Sequence, residues 1–169
     1  MSTLEVKAIQ APSGYDLDMP AGHILQVVQS TYSTVTDIRS TSYTATGLSA
    51  SITPQFSSSK ILVITNISVE TYQNGEAGIK AFFQVLRDST AIISRAHDSY
   101  AAAASNGYYS FSNNADFSYL DSPSTTSAVT YSVKAKSSAT TNNFTLRMQD
   151  QGGSGVASPS TITLMEVAQ

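Results

Sequence analysis

The chain has no cysteine, no tryptophan and only two histidines. Without cysteine there is no disulfide frame, no thiol nucleophile and no thiolate metal site, so folding is indifferent to the redox state of the compartment. Charge is scarce as well. Asp, Glu, Lys and Arg together make up 12% of 169 residues, about half the roughly 25% of an ordinary soluble domain. Nine basic residues against twelve acidic ones leave a net charge of −3, with no basic stripe of the kind nucleic acid requires. No window approaches the ~18 apolar residues of a membrane span. Met1 to Lys7 lacks the basic start and apolar stretch of a secretion signal. Nucleic-acid binding and membrane insertion are not expected, and synthesis in a cytoplasm is.

Hydroxyls supply the polarity that charge does not. Serine and threonine make up more than a quarter of the chain, alongside nine tyrosines and six phenylalanines. Thr, Val, Ile, Tyr and Phe fit a pleated surface, which points to an all-β chain. The length suits one domain.

Residues 1–22 differ from the rest. Ala11-Pro12-Ser13-Gly14 and Met19-Pro20-Ala21-Gly22 are turn signals, and Leu4, Val6 and Ile9 are the spaced apolar residues of a short extended segment. This stretch reads as an N-terminal docking arm, with residues 23–169 as the folded domain.

Within that domain, strand and turn alternate. His23 to Gln29 forms a first strand, and Thr34 to Ser51 a weaker pair turning at Gly47. Ile61 to Tyr72 is a long strand with Val63, Ile67 and Val69 on one face and Ile64, Asn66, Ser68 and Glu70 on the other. Ile79 to Leu86 carries large apolar groups on both faces: Ile79, Phe83 and Val85 against Phe82 and Leu86. Arg87-Asp88-Ser89-Thr90 turns it into a hairpin with 91–94. Five aromatics lie between Tyr108 and Tyr119, interrupted at Asn113-Asn114. Val129 to Lys136 and Phe144 to Met148 alternate, and Thr161 to Val167 closes the pattern. About eight strands with no segment of helical period predict an antiparallel β-sandwich of jelly-roll type.

Catalytic constellations are missing. His97-Asp98 is the one close pair that includes a histidine, short of the three or four ligands a metal needs. Gly153-Ser154-Gly155 precedes a strand rather than a helix, which fits neither a nucleophile elbow nor a phosphate loop. Asp98, Asp116, Asp121 and Asp150 sit in turns or at strand ends, where Asp serves turn chemistry, and nothing pairs two of them. The aromatics Tyr100, Tyr108, Tyr109, Phe111, Phe117 and Tyr119 suit core and subunit interface, with a sugar-stacking platform as the other use. The expectation is no enzyme, no metal and no cofactor. Phe82, Leu86, Tyr108 and Phe111 are the candidate subunit interface, and Leu4, Val6 and Ile9 the candidate arm contacts.

Several stretches resemble small virion proteins of tailed bacteriophages, especially marine and cyanobacterial ones. They are Met1 to Gln10, Pro20 to Gln29, Gly47 to Pro54, Ser57 to Val63, Leu86 to Ile92, Tyr119 to Pro123 and Ser160 to Val167. Each is ordinary strand-and-turn text, and their order is the more specific signal. The resemblance implies a β-sandwich displayed on a virion, commonly as a homotrimer, seated on a major capsid or tail protein. It carries over no catalytic residue. With only about 22 residues ahead of the domain and no long shaft, a capsid decoration (cement) protein or short spike is expected. A tail-fibre module that binds a host receptor is the alternative, and a domain for a host surface glycan stands behind both.

Overall fold

The computed structural model describes residues 19–74, 80–98, 108–138, 144–150 and 157–169. It is all-β, with no helix among the described residues, and its strands pack as two antiparallel sheets. The first sheet holds β1 (Ile24–Tyr32), β2 (Thr36–Ile38), β4 (Lys60–Asn74), β7 (Tyr108–Asp121), β9 (Phe144–Met148) and β10 (Ser160–Val167). The second runs in the order β3 (Thr44–Ile52), β8 (Val129–Ser137), β5 (Lys80–Arg87), β6 (Thr90–Asp98).

The long strand β4 is the axis of the first sheet. Along one edge it pairs with β7 in an unbroken register from Ile61↔Asp121 to Asn74↔Tyr108. Along the other edge its first half pairs with β10 and its second half with β9. β1 lies beyond β10, and β2 beyond β9. Alternation in β4 then decides the core. Ile61, Val63, Ile67 and Val69 all face inward and are buried, against Phe83 and Val85 of β5 and Tyr131, Val133 and Ala135 of β8.

Two turn signals turn out to lie inside strands. Asn113-Asn114 sits within β7, and its pairing with β4 carries on through both residues. Gly47 is not a hairpin turn but a residue of β3, at a register shift between Ala45 and Ser49. Its φ of +88° is in the left-handed region, and a Cβ there would lie 2.3 Å from the Tyr32 ring. Glycine lets the bulge form and lets Tyr32 close over it. Gly47→Ala is expected to cost about 1–3 kcal/mol, read as a fall in the urea midpoint. Adding Tyr32→Ala should relieve the clash and leave the backbone part. Full recovery in that double variant would show that φ is not strained.

Candidate interaction surfaces

Register places apolar side chains on the outside of the first sheet as well as inside it. Val27 lies opposite Met165, Met165 opposite Leu62, and Leu62 opposite Leu120. These four residues form one row straight across β1, β10, β4 and β7. Ile24, opposite Val167, extends the patch on one side and Ile64 on the other. Val27, Ile24, Leu120 and Ile64 are 56%, 55%, 45% and 38% exposed. Two rows further on, the same face is polar, with Thr31, Thr161, Asn66 and Asp116 side by side. Large side chains of this type each gain roughly 1.5–3 kcal/mol on burial, and an apolar patch rimmed by polar groups marks a site of contact. Its sequence signal was the one applied above to residues 79–86, large apolar groups on both faces of a strand. Leu62, Met165 and Val167 carry that signal too.

The residues singled out from the sequence are dispersed. Leu4, Val6 and Ile9 lie outside the described residues. Of the arm, residues 19–22 are described, and they are tied to the sandwich: the Gly22 N–H donates to the Ala168 carbonyl at 2.9 Å. Phe82 is half-buried on the outer face of the second sheet, with the Lys136 ammonium 5.2 Å from its ring centre and 4.8 Å from that of Tyr43. By register Leu86 shares that face, lying opposite Ser132 as Phe82 lies opposite Lys136 in the unbroken pairing with β8, yet it is only 5% exposed. The shift in the pairing with β6 comes from an extra residue, Ile92, in β6.

The aromatic run divides in the same way. Phe117 is in the core, its ring centre 6.0 Å from that of Phe83. Phe111 and Tyr119 are 40% and 43% exposed. The Tyr108 backbone pairs with Asn74, while its side chain, that of Tyr109 and all of Tyr100 lie outside the described residues.

Buried polar groups act as ties between elements. Asp121, at the end of β7, receives both carboxylate contacts from Arg87 Nη1 at 3.0 Å and the Tyr131 hydroxyl at 2.7 Å. Burial, and then the bond to Asp121, push the Tyr131 phenol far above its ordinary value, so it stays a donor. Glu166 is wholly buried, and its carboxylate accepts from Gln26 Nε2 at 2.6 Å and from the backbone N–H groups of Gln55 and Phe56 at 2.7 and 3.3 Å. Burial alone would raise this carboxyl, but the donors, Gln26 first among these three, hold it below the ordinary carboxylate range.

Arg147 binds Asp37 at 2.9 Å and lies 3.8 Å from Glu70 and 3.6 Å from Asp150, linking β2, β4 and β9. Glu70 also accepts a hydrogen bond from the Ser110 hydroxyl. Among the described residues no three His, Asp or Glu side chains are placed to share a metal ion. His97 stacks edge-on against Phe83 at 6.3 Å. These groups hold strands together.

No family model matches the chain, and no curated protein does. Among solved structures it is similar to that of infectious bursal disease virus Gx strain, with 14% identity and a TM-score of 0.41 over 96% of this chain and 43% of that one. It is similar to the T=1 particles derived from infectious bursal virus, with 13% identity and a TM-score of 0.38 over 97% of this chain and 41% of that one. A third is dimeric latent PorU from Porphyromonas gingivalis, with 8% identity and a TM-score of 0.30 over 88% of this chain and 14% of that one. The chain spans less than half the length of each of these.

Proposed function

We propose that this chain is a non-enzymatic structural protein of a virus particle, a decoration protein or short spike on the outer surface of a bacteriophage capsid. The observation that carries the reading is the outer row Val27–Met165–Leu62–Leu120 with Ile24 and Ile64 beside it. A sheet whose second face is apolar at one end and hydroxyl-rich beyond is built to be covered in part. The order of sequence motifs supplies the kind of assembly.

The arm belongs to the same reading. Residues 1–18 lead into Met19, which lines a small pocket together with Phe56, Ser59 and Ala168 at the end of the sheet where the apolar row lies. An extended arm there reaches the capsid and adds a strand or fills pockets on it, while the sandwich projects outward and associates with its own copies.

Locating the protein on purified particles by electron microscopy tests this. Many copies spread over the capsid exterior are expected. A few copies at the tail tip would move the protein to the receptor-binding reading, and absence from washed particles would overturn both. Deleting residues 1–18 is expected to leave a folded sandwich that no longer binds particles.

A further inference from the structure

We propose that β7 is a dimerisation edge, at which two copies of this chain join their first sheets through antiparallel β7–β7 pairing about a two-fold axis at Ala115. An exposed strand edge is a template for pairing, and proteins blunt edges with bulges, brevity or charge. Every other outer strand here is blunted. β1 carries a bulge between Ile24 and Gln26, β3 one around Gly47, and β6 one at Ile92, beside an exposed Arg95. β2 has three residues and includes Asp37.

β7 has neither the bulge nor the brevity of the others. It runs for 14 residues without a register shift, and among the described residues no strand pairs with its second edge. Proline and lysine do not occur in it, and its charges are Asp116 and the Asp121 already held by Arg87 and Tyr131.

The occupant follows from self-complementarity. A two-fold axis normal to the sheet makes each residue face a residue of its own parity, so the centre must fall on a residue. With Ala115 at the centre, Phe111 faces Tyr119 of the second copy, and the symmetry repeats the pair on the other side. These are the two half-exposed aromatics of the strand, and aromatic pairs across strands are favourable. Ser112 falls opposite Ser118, Asp116 opposite Asn114, and the small Ala115 opposite itself. Centring on Asp116 would set that carboxylate against its own copy. Centring on Asn114 would set Phe111 against Phe117, which is already packed in the core.

The test is a charge exchange at Ser112 and Ser118, both exposed on the outer face, in the full chain with circular dichroism as the check on folding. Sedimentation should show the unaltered chain as a dimer at micromolar concentration. Ser112→Lys with Ser118→Lys sets lysine against lysine twice and should weaken the dimer by at least about tenfold. Ser112→Lys with Ser118→Glu sets lysine against glutamate twice and should restore it in low salt. A monomer for the unaltered chain, a closed trimer indifferent to both pairs of substitutions, or equal behaviour of the two double variants would overturn the proposal. Because this is measured without any particle, its failure leaves the virion reading standing.

Discussion

Asp121→Ala is expected to destabilise the sandwich by about 3–5 kcal/mol, the range for removing one partner of a buried, hydrogen-bonded charge pair. Asp121 belongs to the first sheet, while Arg87 and Tyr131 belong to the second. Its side chain is 7% exposed and that of Arg87 28%, so the loss falls mainly on groups left in the interior. Tyr131 is fully buried, and its hydroxyl would lose the only acceptor described for it. Tyr131→Phe removes one bond and leaves Arg87 in place, so about 1–2 kcal/mol is expected there. Urea denaturation of the variants measures both. A loss below about 1 kcal/mol for Asp121→Ala would mean that water reaches the corner and the tie is a surface ion pair.

Glu166→Ala should be nearly as damaging, for a different reason. The carboxylate fixes the link between β3 and β4 by accepting from the Gln55 and Phe56 backbones. Each of these part-buried hydrogen bonds is made to a charged acceptor and is worth about 1.5–3 kcal/mol, so a loss of about 2–5 kcal/mol is expected.

Acid tests the same site in the unaltered chain. The Glu166 carboxyl titrates lower in the folded protein than in the unfolded chain, so the unfolded state takes up the proton first as pH falls. The stabilisation is fully present above the ordinary glutamate value of about 4.3. It declines as pH drops below that and is lost once pH passes through the lower folded value. Glu166→Gln should therefore be less stable at neutral pH and show a shallower loss between about pH 5 and pH 3. Parallel pH profiles for the two proteins would contradict this assignment.

Alternation along single strands was legible from sequence because it depends on one segment alone. β4 and β8 show it: Val63, Ile67 and Val69 are inside, as are Val129, Tyr131, Val133 and Ala135. What failed to show depends on a second strand. Leu86 lies on the face of Phe82, as the two-residue period requires, and what the period does not show is that Leu86 is covered to 5% exposure there. Asn113-Asn114 and Gly47 are turn-formers by local chemistry, and tertiary pairing overrides the first and uses the second for a bulge. The apolar outer row needs four strands in register before it exists at all. Burial of Asp121 and Glu166 is equally remote from their neighbours in sequence: Asp121 meets Arg87, and Glu166 meets Gln26 and Gln55.

The place of β10 between β1 and β4 has a consequence for synthesis. β10 is the tenth strand in chain order, yet it fills the middle of the first sheet, pairing with Ile24–Tyr32 on one side and Lys60–Asn66 on the other. While the ribosome still holds residues 160–167, the nascent chain carries two open strand edges with a gap between them. β1 has no sheet to join until that gap is filled. Pairings of such separation close slowly, and unpaired edges are the surfaces through which incomplete chains stick together. The first sheet is therefore completed only after residues 160–167 have left the ribosome, and until then it stays in two pieces.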